Sequence, residues 1–516
     1  MISHYLFLMV TGALGVFLLL GLQLFTHWHD LRRYVTATWL TLLTLIWLTL
    51  PQECRSLLSL WSPTAMLDGR LLLEITPAIW LLGAVLGATF SGVAWARIAD
   101  ERRSLPLSGV LTISLLLISW LALLSASLLM TLIAWSTFDL LWGVAALIAG
   151  SDDERVTFGW AIHGFASLLL WVVSLLLARE GCSTLWWLMQ PSEPLLSLLM
   201  MAAVLRVGIY PWHLIFPQRA DKVGLLVVAG ALGPLLGFGL WYRVLSLPLP
   251  GHCPAWMTTL GAITLLWGAL RAGAASSEAH RPLLGAAYAL LGAVVVGTAL
   301  TGSAVWLLRA LATWWAGWVL LLLSRGREGW LSPWSWPGLL AVLLLLGVPP
   351  SPLGVLYRAA LGTANWATRF CLLIGLALTG ATFLREIARS AAGRVTPPWP
   401  WQQITLGIGL LLPLWGLVSG ATLAGAGGVW GWLLWSSTLL MAAGWAWQGH
   451  GVHGWLERLR PLWELLDLRW LQRTLWQGAE HLLGAVRTLI EVVEGSGALL
   501  WSLLVILLVL LVGKNQ

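Results

Sequence analysis

Charge is scarce in this chain. Asp, Glu, Lys and Arg make up 10% of its 516 residues, against 59% hydrophobic, and the mean hydropathy is +0.84. That balance excludes a soluble globular protein. Cysteine is scarcer still. The four thiols, Cys54, Cys182, Cys253 and Cys371, form no CxxC pair and no His/Cys metal spacing, so they read as packing residues. There is no glycine-rich nucleotide loop, no metal cluster and no nucleophile–base arrangement. The sequence therefore offers no catalytic residue, no metal ligand and no cofactor, and a stand-alone enzyme is the least favoured class. The net charge of +7 comes from basic residues scattered through short loops, which is not a nucleic-acid surface.

What the chain has in abundance is apolar length. Hydrophobic runs recur from residue 5 to 513, each near the roughly 20 residues that cross a bilayer core of about 30 Å. A transmembrane β-barrel would instead alternate in segments of about 10 residues. The fold class read from this is an all-α polytopic membrane protein with about 14 to 16 transmembrane helices. The spans fall at 5–25, 34–50, 76–96, 106–127, 128–149, 158–178, 194–216 and 223–245. They continue at 255–272, 282–302, 303–324, 337–361, 369–390, 399–419, 427–447 and 494–513. Residues 5–25 are too long for a cleavable leader and read as the first span. The 38 tryptophans exceed what two interfacial belts need, which places many of them in helix–helix contacts.

Loop charge gives the orientation. Arg32/Arg33, Arg97/Arg102/Arg103, Arg155, Arg219/Lys222, Arg271/Arg281, Arg325/Arg327 and Arg385/Arg389/Arg394 all fall on one side under this span list. The opposite loops hold Arg55, Arg70, Arg179, Arg243, Arg358 and Arg369. The richer side is cytoplasmic, so both termini are expected outside the cytoplasm, in a bacterial inner membrane.

Residues 451–493 differ in kind. Leu468, Leu471, Leu475, Leu482, Val486, Leu489 and Val493 form one stripe, with charged residues on the other faces. This predicts a lateral amphipathic helix, either an interfacial anchor or a strap across neighbouring helices, before a final span in 494–516. The full division is 1–105, a first five-helix unit 106–245, a second 255–390, further spans in 399–447, the lateral helix, and the final span with its tail.

Each five-helix unit contains a proline-broken helix at its fourth position. The first is YPWHLIFP, with Pro211 and Pro217; the second is GVPPSPLG, with Pro349, Pro350 and Pro352. Five helices reverse direction, so consecutive units are inverted repeats, and paired breaks in inverted repeats point to an ion path at mid-membrane. Packing kinks are the plain alternative. Few ionisable residues sit deep in a span: Asp139, His163, Arg206 and Arg309. Arg358 lies nearer a helix end, where it can snorkel. Asp139 and Arg206 are natural partners, as a lock between helices or as part of an ion pathway. His163 reads as a packing residue or as a proton relay.

LIAWSTFDLLWG, LRVGIYPWHLIFPQR and LLGVPPSPLGVLYR, set in this topology, resemble the antiporter-like proton-conducting membrane subunits. That family is shared by respiratory complex I, multisubunit sodium/proton antiporters, membrane-bound hydrogenases and inorganic-carbon transporters. The resemblance covers nearly the whole chain. It implies two inverted repeats with broken helices, a lateral helix, and partnership with other membrane subunits in the bilayer. On this match the family's glutamate falls on Asp139 and its first lysine on Arg206. Arginine, unlike lysine, stays protonated in essentially any protein environment. The span 223–245 holds no charged residue or histidine between Lys222 and Arg243, and the family's later stations fall near Arg309, Thr313, Tyr357 and Arg358.

Three functions fit these features. One is an ion-translocating subunit of a complex I-type or related assembly, of the NADH:quinone oxidoreductase or hydrogenase kind. The others are a non-conducting structural or coupling subunit, and the membrane subunit of a proton-coupled inorganic-carbon uptake system.

Overall fold

The computed structural model describes residues 2–25, 27–57, 72–99, 107–148, 154–212, 228, 230–247, 255–274, 281–324, 333–349, 351–388, 400–421 and 429–447, with 474, 477, 478, 481 and 484. It forms two compact units, Met1–Glu457 and Arg458–Gln516. In the second unit only the last five of those residues are described, all helical and exposed; the rest of the lateral helix and the final span lie outside the described residues.

The described residues of the first unit are helical almost throughout. Its helices are α1 (Ile2–Gln23), α2 (His29–Leu48), α3 (Pro77–Ala99), α4 (Ser108–Leu124), α5 (Leu128–Ile148), α6 (Glu154–Arg179), α7 (Glu193–Val207) and α8 (Leu232–Leu245). There follow α9 (Ala255–Ala274), α10 (Arg281–Thr301), α11 (Ala304–Ser324), α12 (Trp336–Leu345), α13 (Pro352–Thr363), α14 (Trp366–Ala388), α15 (Pro400–Ala421) and α16 (Val429–Trp447). Among the described residues, eight helices are long and apolar enough to cross a bilayer. The chain is an integral membrane protein of the all-α polytopic class.

Two predicted spans are interrupted. The run 194–216 stops as helix at Val207, where Gly208 takes the left-handed conformation (φ 72°), and its N–H returns to the carbonyls of Val204 and Leu205. The run 337–361 divides into α12 and α13 at Gly347 (φ 80°) and the prolines that follow. Ser351 then caps α13 by accepting the N–H of Gly354 at 3.0 Å, with Pro352 at the first helical position.

One element has no counterpart in the span list. Residues Cys54–Leu57 (β1) and Leu72–Ile75 (β2) pair as an antiparallel hairpin between α2 and α3. Its edge continues into the α4–α5 turn: Leu73 bridges to Ser125, Ala126 N–H donates to Leu72 O, and Ser127 bridges to Leu185. These short segments leave the helices with backbone groups that need partners, and they satisfy one another.

Tryptophan supplies most of the largest side chains buried in the core. Trp47, Trp120, Trp135, Trp241, Trp314, Trp315 and Trp318 are fully buried. A buried indole needs an acceptor for its N–H. Trp120 finds Gly83 O, Trp314 finds Ala287 O, and Trp315 finds Thr89 Oγ1 at 2.7 Å. For these residues the excess of tryptophan is helix–helix mortar. Cys54, Cys182 and Cys371 are half-buried thiols.

Candidate functional site: a buried ion pair at the end of a broken helix

Scarcity of charge makes each buried ion conspicuous. Asp139 stands mid-way along α5, and Arg206 in the last turn of α7, where the glycine that ends the helix lies two residues on. The two side chains meet. Arg206 Nη1 donates to Asp139 Oδ2 at 2.9 Å, and Nη2 lies 2.8 Å from Oδ1 in an ion-pair contact outside hydrogen-bond alignment. Arg206 is 0% exposed and Asp139 6%. Taking both ions from water is costly, so each needs further partners.

Those partners come from α5 and α6. Ser167 donates to Asp139 Oδ2 at 3.0 Å and accepts a longer bond, 3.4 Å, from Arg206 Nη1. The guanidinium carbon lies 4.4 Å from the Trp135 ring centroid and 5.4 Å from that of Phe138. Trp135 and Asp139 are four residues apart on one helix, so one face of α5 presents both an aromatic ring and a carboxylate. His163, one turn before Ser167 on α6, is buried at 2%, with Nδ1 3.6 Å from Asp139 Oδ1, beyond hydrogen-bond reach. Its ring lies against Gly233 of α8, where a Cβ would come within 3.1 Å of Nε2. Four helices thus converge on one carboxylate and one guanidinium.

No protein-family model and no curated protein matches the chain. Solved structures do. A chain of the Mrp complex from Dietzia sp. DQ12-45-1b superposes with a TM-score of 0.72 at 16% identity, over 98% of this chain and 63% of that one. A chain of the membrane-bound sulfane sulfur reductase, an archaeal respiratory membrane complex, gives 0.64 at 13% identity, over 98% and 99%. One from respiratory complex I of Thermus thermophilus, with bound aureothin, gives 0.59 at 20%, over 80% and 97%. The chain shares the fold of these membrane-complex chains. The chain spans less than two thirds of the Mrp chain's length.

Within this fold the remaining sequence-predicted residues are dispersed. Arg309 lies in the second turn of α11, half-buried, over its own helix's Trp306 ring at 5.5 Å. Arg358 folds back on its own helix and break, donating to Gly354 O at 3.2 Å and Pro349 O at 3.0 Å. Pro211 follows a cis Tyr210–Pro211 bond just beyond α7, and Pro352 opens α13. Pro217 and Pro350 lie outside the described residues.

A second buried ion cluster has no sequence forecast. Glu74 of β2 accepts from Arg55 Nε at 2.7 Å and from Arg243 Nη1, while Arg243 Nη2 donates to Leu123 O at 3.2 Å. Arg243, expected in a loop, is instead 6% exposed near the end of α8. Glu74 and Arg243 are 169 residues apart in sequence, and no local pattern links them.

Proposed function

We propose that this chain is an antiporter-like subunit of a complex I-type or related proton-translocating assembly, acting with other membrane subunits. The observation that carries this reading is the Asp139–Arg206 pair, fully enclosed at the end of a broken helix. Isolated ions in a bilayer core are expensive, and those that persist commonly serve ion movement. Arg206 holds its charge, so the variable member is Asp139. A change in the field or position of a neighbouring subunit alters how tightly the pair is closed, and so how readily Asp139 exchanges a proton. Coupling of this kind needs no deprotonation of Arg206.

The test is proton flux in reconstituted complex carrying Asp139→Asn. Loss of flux with normal assembly is expected; unchanged flux removes this helix pair from the translocation path. The same reading places the chain in a bacterial inner membrane with both termini outside the cytoplasm. Reporter fusions at each terminus check that orientation.

A second reading, a non-conducting coupling or scaffold subunit, draws support from α11. Trp314, Trp315 and Trp318 fill its middle, all at 0% exposure, and Thr313 beside them is equally buried. Under that reading the lateral helix is a strap, and deleting residues 455–493 disrupts assembly while Asp139→Asn leaves flux intact. A normal complex without the strap counts against it.

A further inference from the structure

A broken helix in an apolar environment frees backbone groups that must find partners elsewhere. The two breaks in this chain find them in different ways. The break between α12 and α13 is served from within. Tyr357 OH points to Leu345 O at 3.4 Å, and Arg358 takes Pro349 O. Both side chains belong to α13 itself.

The break after α7 is served from outside. Tyr288 of α10 donates its hydroxyl to Gly208 O at 2.9 Å. Tyr210 N–H donates to Thr264 Oγ1 of α9 at 3.0 Å, and Thr264 passes its own proton to Leu260 O at 2.7 Å. Trp267, three residues after Thr264 on the same face of α9, lies 5.9 Å from the Tyr210 ring and meets Tyr288 edge-on at 6.0 Å. Arg271, one further turn along, stands over Trp267 at 4.8 Å. Thr264 and Tyr288 are 0% and 3% exposed, so neither bond is exchanged for water. The two backbone groups held this way lie two and four residues past Arg206. A rotation of that short stretch swings the guanidinium against Asp139.

We propose that Tyr288 and Thr264 are positioning residues that fix the end of α7 and tie the Asp139–Arg206 pair to α9 and α10. Movement of α9 or α10 then reaches the pair through two hydrogen bonds, without a charged residue in between. The bearing of this clamp on translocation rests on the function proposed above, but its existence does not.

The test uses the full-length chain in lipid nanodiscs. Thermal midpoints are measured for Tyr288→Phe, Asp139→Asn and the double variant, with Tyr357→Phe in place of Tyr288→Phe as the control cycle. Sites without coupling add. The clamp predicts that the Tyr288/Asp139 double variant loses distinctly less than the sum of the two single shifts, while the Tyr357/Asp139 cycle adds. Where Tyr288→Phe fails to fold, amide exchange across residues 205–212 decides the matter. Thr264→Val speeds exchange at Tyr210 by about tenfold, the loss of one buried bond, and Thr264→Ser restores protection. Asp139→Asn speeds exchange in the same segment. Additive midpoints, or exchange at Tyr210 indifferent to Asp139→Asn, overturn the proposal. A wild-type complex that moves no protons defeats the proposed function and leaves both measurements readable.

Discussion

Arg206 is held on two sides by one helix: its guanidinium carbon lies 4.4 Å from the Trp135 ring centroid, and its nitrogens meet Asp139 one turn further along α5. Removing the cation leaves Asp139 buried without its counter-ion. Arg206→Met is expected to cost about 3–5 kcal/mol. Adding Asp139→Asn should recover part of that loss, because both charges are then gone. Arg206→Lys keeps the charge but loses the fork and the stacking, and should fall between wild type and Arg206→Met. Unfolding midpoints in nanodiscs check the order.

The Glu74 cluster makes the same kind of prediction with a built-in contrast. Glu74→Gln strands Arg243 in the interior and should cost about 3–5 kcal/mol. Arg55, whose side chain is 58% exposed, is screened by solvent, and Arg55→Ala should cost less than about 1 kcal/mol. Equal losses from both substitutions would contradict the assignment of Arg243 as the buried partner.

Gly237 sets the approach of α8 to α7. A Cβ there would lie 2.7 Å from Val207 N and 2.8 Å from Ala203 O, both backbone atoms that cannot swing aside. Gly237→Ala should therefore cost about 1–3 kcal/mol and displace the turn that carries Arg206. Gly239→Ala meets only a Leu123 methyl at 3.1 Å and should be milder. Comparing expression and thermal midpoint of the two variants tests this.

Trp315 of α11 donates to Thr89 of α3 at 2.7 Å, with both residues fully buried. Thr89→Val matches the shape but removes the acceptor, which strands the indole N–H at a cost of about 1–3 kcal/mol. Thr89→Ser keeps the hydroxyl and should lose distinctly less.

The sequence carried the parts of this structure that follow from local rules. Apolar length placed α3, α10 and α11, and GVPPSP announced the division of α12 from α13. Scarcity of charge singled out Asp139 and Arg206, because a lone acid and a lone base in an apolar bundle have few other partners. The remainder depends on contacts distant in sequence. β1 and β2 are four residues each, too short to show an alternation. Arg243 reads as a loop charge, since nothing near it in sequence hints at Glu74. Ser167 was legible in hindsight as His163 plus four on one helix face. Tyr288 and Thr264 are ordinary hydroxyls within spans, and only the position of the α7 break gives them a task.

The close crossing of α3 and α15 has a consequence for how the chain is made. A Cβ on Gly92 would lie 2.6 Å from Gly409 O, and one on Gly409 would lie 2.7 Å from Ala96 N, so each helix is shaped to receive the other's backbone. Roughly three hundred residues separate the two glycines, and at about 5–20 residues per second the ribosome needs about 15 seconds to a minute to produce them. Throughout that interval α3 sits in the bilayer with its glycine seam open to lipid or to an insertion chaperone. The arrival of α15 is then a late, timed event in biogenesis, and a chain stalled before residue 400 would leave that seam as its most recognisable defect.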